Sequence, residues 1–369
     1  MFTFAGKLHI NNFSCIMANV IKIKKGLDIN LKGKASDVLL NGGKSESYAI
    51  VPDYYNGILP KVVAKVGEKV KAGSVLMIDK NRPEIKFVSP VSGEVTAVNR
   101  GEKRKVLSIV VKPDAQIEYE EFGKKNVASL QGAEVKEVLL NAGMWPFIKQ
   151  RPYDIVAAPL DTPRDIFVSA FYSAPLAPNF DFIVKGQEAD FQTGLNALAK
   201  LTNGKVYVGV RSGSVVSGVK GVEIVEVEGP HPAANVGVQI NHIKPVNKGE
   251  VVWTVNPADV IVIGRLFNKG VADFSRMVAI TGSETTERGY VKTISGCTIK
   301  SLVNGKVLGQ EHIRIISGNV LTGTKVNMDG YLGAYDNQIT VIPEGDETHE
   351  FLGCLLYTSP SPRDISGSR

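Results

Sequence analysis

The sequence predicts an α+β protein of several domains: a small β-barrel, then an open α/β layer, then a small mixed β domain. From Lys65 to Val111, short apolar runs with a period of two alternate with Gly-centred turns, as in paired strands. From Ile155 to Gly270 strand patterns alternate with helical patterns, which indicates parallel strands. The period of two returns from Met277 to Glu344. A chain of 369 residues has room for these parts.

The first part contains two similar halves, since a Gly-Glu-Lys turn followed by a strand occurs at Gly67 and again at Gly101. Two such halves closing on each other form a flattened barrel, and the stretch resembles a biotinyl/lipoyl-type barrel-sandwich hybrid. Lys80 lies where that family carries its modified lysine. Pro83 lacks an N–H for strand pairing, and the loop looks too long for a tight hairpin. We therefore expect a retained scaffold, with no cofactor attached covalently at Lys80.

Composition limits the functional classes. No apolar run approaches the roughly 18 residues of a membrane-spanning helix. Cys15, Cys297 and Cys354 are far apart, which argues against a local zinc or iron–sulfur motif and for a reducing compartment. The net charge of +6 comes without clusters of Lys/Arg interleaved with aromatic residues, so nucleic-acid binding is not expected. It is compatible with an anionic membrane surface or an acidic partner.

Domain boundaries follow from these patterns. We expect the barrel over 17–112, a Rossmann-like α/β domain over 127–272 and the small β domain over 276–346. Residues 1–16 carry no clear pattern and lack the features of a secretory signal, so we expect a non-native leader and a natural start at Met17. Residues 354–369 are Ser/Pro-biased and aperiodic, and we expect an artefactual tail, with an ordinary disordered tail as the alternative.

The α/β part has strong helix signals but no nucleotide fingerprint. Asn256 is placed to cap a helix, with Pro257 in its first turn and Gly270 beyond its end. The turn after KVYVGV reads RSGSVVSGVKG, which matches neither the dinucleotide fingerprint nor the P-loop. An extended run, VEIVEV, follows where a phosphate-capping helix would begin. A nucleotide site is therefore expected to be absent or altered.

Two stretches supply candidate ligand contacts. In NAGMWPFIKQRP, Met144, Trp145 and Phe147 form an apolar knot with a basic edge, which could receive a quinone ring or pack between domains; packing is favoured. His231 stands between two prolines and is rigidly presented, whereas His242 follows without a carboxylate at metal-like spacing, so no metal site is predicted. Nothing resembles a Ser/His/Asp or Cys/His set, and no catalytic residue is assigned.

The order of the parts and several runs resemble the NqrA family, one of the subunits of the sodium-translocating NADH:quinone reductase, from Met17 to Gly353. The runs are IKIKKGLDINLKGKA, SPVSGEVTAVNRGEKR, AGMWPFIKQRP, GPHPAANVGVQINHI, VNPADVIVIGRLF and IISGNVLTGT. The resemblance implies that the last domain is a β-grasp of the SLBB (soluble-ligand-binding β-grasp) type. The chain departs from the family in its leader, in the absence of a helical part after Gly353, and at Ala234, where a glycine is expected.

The resemblance also implies a function. An NqrA-like chain lies on the cytoplasmic side of the bacterial inner membrane, docked on membrane subunits B and C of a translocase that also contains D, E and F. The complex couples respiratory electron transport from NADH to ubiquinone to sodium export. NADH, FAD, FMN, riboflavin and Fe–S clusters belong to other subunits. An NqrA-like chain is not catalytic alone and has no redox centre, but it is associated with quinone reduction. Candidate quinone contacts are Met144, Trp145, Phe147, Arg151 and His231.

A different class remains as the alternative. The family's outline is also similar to the flavin- and NADH-binding subunit of respiratory complex I and to the RnfC subunit. An RnfC-like chain would bind FMN and NADH in the α/β part and act as the electron input.

Overall fold

The computed structural model of the chain describes residues 19–309 and 311–346. The leader proposed at 1–16, the start proposed at Met17 and the tail proposed at 354–369 lie outside the described residues, as do Cys15 and Cys354. The first strands are β1 (Asn19–Lys22) and β2 (Leu39–Leu40). Both belong to sheets formed mainly by residues far along the chain.

The barrel is built from two facing sheets of four and three strands. Its strands are β3 (Tyr48–Ile50), β4 (Pro60–Val62), β5 (Lys69–Val70), β6 (Val75–Asp79), β7 (Lys86–Val88), β8 (Gly93–Arg100) and β9 (Val106–Pro113). The sheet orders are β3-β9-β8-β5 and β4-β6-β7, with antiparallel pairing throughout both. Leu76, Val95 and Ile109 fill the space between the sheets and have no exposed surface. Alternation along each strand therefore produces the apolar interior.

The loop around Lys80 is held against the α/β domain. It spans residues 80–85 between β6 and β7, longer than a tight hairpin, as the sequence predicts. Asp79 is buried and accepts a hydrogen bond from Arg82 Nε at 2.7 Å. Arg82 Nη1 also donates to Val156 O at 3.1 Å and Nη2 to Gly57 O at 2.8 Å. Arg82 thus joins the loop to neighbouring segments through the Val156 and Gly57 carbonyls, while Lys80 itself is exposed.

The α/β domain contains a seven-stranded sheet of order β1-β14-β13-β12-β15-β10-β11. Its remaining elements are α1 (Gly132–Asn141), β10 (Ile148–Arg151), β11 (Ile155–Val156), β12 (Ile166–Ser169), α2 (Phe180–Val184), α3 (Glu188–Ala199), β13 (Val206–Val210), β14 (Glu223–Glu228), α4 (Val236–Ile243), β15 (Val252–Val255) and α5 (Pro257–Lys269). Strands β1, β14, β13, β12 and β15 are parallel, and β10 and β11 add an antiparallel edge.

Helices α3 and α5 pack closely on one side of this sheet. A Cβ at Gly264 would lie 1.7 Å from Asp190 O, and one at Gly194 would lie 2.1 Å from Val260 O, so only glycine allows this approach. The predicted caps of α5 are confirmed. The Asn256 side chain accepts from Ala258 N, and Gly270 ends the helix in the left-handed conformation.

The last domain is a mixed sheet of order β19-β18-β20-β16-β17-β2. Its elements are β16 (Ser275–Thr281), β17 (Gly289–Ile294), α6 (Ile299–Val303), β18 (Ile313–Ser317), β19 (Thr324–Lys325) and β20 (Gln338–Pro343). A hairpin, a short helix and a central strand β20 parallel to β16 are in keeping with a β-grasp. The fold is thus α+β with several domains, as the sequence predicts.

The first two strands pair outside the barrel. The predicted range 17–112 contains β1 and β2, but β1 pairs with β14 and β2 pairs with β17. The segment from Ile23 to Val38, called the strap below, joins them across the α/β and β-grasp domains. Local periodicity identifies a strand but not its partner, and these partners are 206 residues away for β1 and 251 residues away for β2.

Candidate functional site

A cleft of about 670 Å³ opens at the carboxyl ends of β12 and β13, between the strap and the loop after β12. Strands β13 and β14 follow β12 on one side of the sheet, and the next strand, β15, lies on the other side of β12. The strand order therefore reverses at β12. In open α/β sheets this reversal point is where ligands bind. Within the loop, Leu176 adopts a φ of +57°, an uncommon conformation for a residue with a side chain.

The cleft walls combine aromatic and hydrogen-bonding groups. The Arg211 guanidinium lies 4.9 Å from the centre of the Phe171 ring. Asp181 accepts hydrogen bonds from Ser214 Oγ at 2.5 Å and from Val215 N at 3.2 Å, which holds the loop after β13. The guanidinium is half-buried and keeps donors available toward the cleft. This arrangement suits a flat ligand with oxygen acceptors.

His231 stands beside this cleft. It follows β14, and its backbone N–H donates to Asp28 Oδ1 in the strap at 2.8 Å. Its Nδ1 lies 3.1 Å from Ser173 Oγ, which accepts from Ala234 N at 3.0 Å. Both Asp28 and Ser173 line the cleft. The strap therefore holds the His231 backbone, and the loop after β12 holds its imidazole at the cleft wall.

The turn after β13 is not a phosphate-binding turn. Its residues form a 3-10 helix, Val215–Gly218, capped by the Ser214 side chain, and β14 follows. No α-helix starts in this described turn, so its backbone offers no helix N-terminus to a pyrophosphate. The cleft lining also carries three carboxylates, Asp28, Asp37 and Asp181, against two cations, Lys34 and Arg211, and this balance disfavours a polyanion.

The aromatic knot lies where the three domains meet. Met144 and Trp145 have no exposed surface and Phe147 is 6% exposed. Trp145 Nε1 donates to Ala157 O at 2.8 Å, and its ring meets that of Trp253 edge-on at 5.3 Å. The cavity beside Phe147 measures about 40 Å³, close to the space of one water molecule. This burial supports the packing interpretation of the two that the sequence left open.

The five predicted contacts do not converge. Arg151 ends β10 and pairs with Val252, at the amino end of β15, whereas His231 follows the carboxyl end of β14. Strands β14, β13, β12 and β15 are parallel neighbours. Arg151 and His231 therefore lie at opposite ends of the strands, Arg151 at the amino ends and His231 at the carboxyl ends. Arg151 Nη2 contacts Asp154 Oδ1 at 3.3 Å. Of the set, only His231 borders the cleft.

Sequence reasoning missed Ser173, Arg211 and Asp28. The first two come shortly after β12 and β13, where the carboxyl ends of parallel strands form an edge, and this position was a usable signal. It also missed a buried pair, Asp259 and Arg276, joined at 2.9 Å. Burial raises the pKa of Asp259 to about 6, against the opposing effect of Arg276.

The described residues carry neither a metal-binding cluster nor a membrane-spanning helix. Burial raises the pKa of the Cys297 thiol, so this cysteine is a poor nucleophile. Residues 19–309 and 311–346 contain no group of three or more His, Cys, Asp or Glu side chains that could hold a metal ion. In the same part of the chain, no helix has the length and apolarity to cross a bilayer.

The three domains and the cleft at the carboxyl ends of β12 and β13 define a class of protein, in which a barrel-sandwich hybrid is fused to a Rossmann-like layer and an SLBB-type β-grasp. Three domain models match it: the NqrA N-terminal barrel-sandwich hybrid domain over 21–114, the NqrA second alpha/beta domain over 130–272, and the NQRA C-terminal domain over 277–328. The chain belongs to the NqrA family, whose members are one of the subunits of the Na(+)-translocating NADH-quinone reductase.

Curated relatives named as this subunit of the Na(+)-translocating NADH-quinone reductase match most of the chain. The Neisseria meningitidis serogroup A protein is 36% identical over 355 residues, covering 95% of this chain and 78% of that one. The Hahella chejuensis protein is 37% identical over 342 residues, covering 91% and 76% respectively. A Yersinia pestis protein is 36% identical over 337 residues, covering 90% and 75%.

Proposed function

We propose that this chain is the peripheral NqrA component of a sodium-pumping NADH:ubiquinone oxidoreductase, on the cytoplasmic side of the bacterial inner membrane. It docks on membrane subunits B and C, takes part in quinone reduction and has no redox centre of its own. NADH, the flavins and the Fe–S clusters are held by the remaining subunits, D, E and F among them. The complex couples electron transfer from NADH to ubiquinone to sodium export.

The cleft is the observation that carries the quinone role. Its volume of about 670 Å³ falls in the range of small-molecule sites. A quinone head group is a flat ring with carbonyl oxygens at its edge. Arg211 and Ser173 offer donors to a carbonyl, and the flat guanidinium of Arg211, which lies over the buried Phe171 ring, offers a face to the quinone ring. His231, in contact with Ser173 Oγ, can supply a proton to the reduced oxygen.

Binding of a short-chain ubiquinone analogue to the purified full chain tests this proposal, with calorimetry as the readout. Arg211→Ala should weaken binding about tenfold, because a charge-assisted hydrogen bond contributes roughly 1.5–3 kcal/mol. The control is Arg100→Ala on the exposed end of β8, which should bind like the unchanged protein. Equal binding by both variants would remove the cleft from consideration.

The RnfC-like alternative predicts a bound flavin. Purified chain with flavin absorbance at one equivalent would favour that function over the one proposed. The 3-10 turn after β13 and the three carboxylates around the cleft weigh against it, since FMN carries a phosphate.

A further inference from the structure

Exposed apolar side chains are concentrated at one end of the described chain. Fifteen large hydrophobic residues are exposed in the part of the chain that the structure describes, and six of them fall between residues 20 and 39. Those six are Val20, Leu27, Ile29, Leu31, Val38 and Leu39. Isolated exposed leucines are normal on a protein surface, but a group within one short segment marks an interaction surface.

In the central part of the strap, apolar residues alternate with polar residues. Leu27 is 71% exposed, Ile29 41% and Leu31 38%, and they are separated by Asp28 and Asn30. In an extended chain such spacing places alternate side chains on one side. Asp28 Oδ1 accepts the His231 N–H at 2.8 Å. Ile29 and Leu31 line the cleft beside Asp28 and remain exposed, as does Leu27, so the three apolar side chains form a face at the mouth of the cleft.

Lysines flank this apolar face at both ends. Lys24 and Lys25 precede it, and Lys32 and Lys34 follow it, all four exposed. Within the described residues, none of the four lies within ion-pair distance of a carboxylate, whereas Lys22 pairs with Glu228. An apolar centre with unpaired cations on both sides is complementary to an anionic lipid interface, where aliphatic groups enter the headgroup region and ammonium groups meet phosphates.

We propose that the strap seats the protein on the surface of an anionic bilayer. Leu27, Ile29 and Leu31 enter the interface, and the flanking lysines contact lipid phosphates. The inference rests on the proposed quinone function, since it brings the mouth of the cleft to the membrane in which ubiquinone is dissolved. The four lysines and the three apolar side chains give a weak, reversible attachment to the bilayer, which adds to the docking on the membrane subunits.

Co-sedimentation of the full chain with vesicles tests the proposal. Vesicles of phosphatidylglycerol and phosphatidylethanolamine should bind the chain, and phosphatidylcholine vesicles should not. Lys24→Gln with Lys25→Gln should lower the partition coefficient by roughly fivefold per lysine, and added salt should lower it further. The control pair Lys220→Gln with Lys248→Gln removes the same charge from exposed positions elsewhere and should bind unchanged. Equal binding by both pairs would overturn the proposal.

A fluorescent probe reports on the apolar face directly. The two native tryptophans, Trp145 and Trp253, have no exposed surface, so the indole of a Leu27→Trp variant is the one that meets solvent. Its emission should shift to shorter wavelength on anionic vesicles, while that of a Leu160→Trp control, at a position 93% exposed, should not. No shift at Leu27→Trp would contradict the inference.

The outcomes separate this inference from the quinone proposal, because the quinone analogue is titrated without vesicles. If strap variants bind vesicles normally while Arg211→Ala weakens quinone binding, the strap inference fails alone. If strap variants lose vesicle binding while Arg211→Ala binds quinone normally, the inference stands and the quinone role fails. Strap variants that bind vesicles normally but no longer associate with the membrane subunits in detergent would show a protein partner and overturn the lipid assignment.

Discussion

Asp165 shows how one buried carboxylate anchors the amino end of β12. It is 1% exposed and sits between Arg164 Nε and Lys244 Nζ, each 2.7 Å from its Oδ2, and the Lys205 N–H at 3.1 Å from its Oδ1. Burial by itself would raise the pKa of Asp165. The hydrogen bonds from Lys244, from the Lys205 backbone and from Arg164 outweigh burial and lower that pKa.

This lowered pKa gives a pH prediction. A carboxyl group whose pKa is lower in the folded than in the unfolded state contributes stability above its unfolded value, and loses it as the pH falls through the folded value. Asp165→Asn should therefore lower the free energy of unfolding at neutral pH. The difference from the unchanged protein should shrink below about pH 4. Urea unfolding followed by circular dichroism at several pH values measures it, and a difference independent of pH would contradict the assignment.

At the scale of elements, the close contact of α3 with α5 depends on the absence of side chains. Gly264→Ala should lower the free energy of unfolding by about 1–3 kcal/mol, because its Cβ would overlap Asp190 O and force the helices apart. Helix propensity alone predicts the opposite sign, since alanine is favoured over glycine by roughly 1 kcal/mol.

Gly237 in α4 is the matched control for that prediction. A Cβ there would meet nothing within 4 Å. Gly237→Ala should therefore leave stability unchanged or raise it slightly, by up to about 1 kcal/mol. Chemical denaturation of the two variants side by side decides the matter. A Gly264→Ala protein as stable as Gly237→Ala would show that the helices can separate without cost.

Sequence predicted the elements whose signals are local. The caps of α5, with Asn256 before it and Gly270 after it, lie within a single window of the chain. For the cleft, the sequence could predict only its place at the carboxyl ends of the parallel strands, and not the residues that meet there. Its contacts join Asp28 to His231, 203 residues apart, and Ser173 to His231, 58 apart. Such contacts depend on which strands pair, and periodicity carries no information on pairing.

At the scale of the whole molecule, the three domains share one continuous core. Tyr335 lies at the junction, where its ring meets Tyr55 of the barrel at 5.7 Å and Phe147 of the α/β domain at 6.5 Å. Its hydroxyl donates to Pro146 O at 2.7 Å, and Lys149 Nζ lies 4.0 Å from the ring centre. Contacts of this kind couple the stabilities of domains that could otherwise unfold one by one.

We therefore expect the unchanged chain to unfold in one calorimetric transition and Tyr335→Ala to unfold in two. Losing the ring removes its packing against Tyr55 and Phe147 and its hydroxyl bond to Pro146, which weakens the coupling so that the weaker part melts first. Tyr153→Ala, at a position 78% exposed, is the control and should keep a single transition. A single transition for Tyr335→Ala, merely moved to lower temperature, would mean that the remaining contacts suffice to couple the domains.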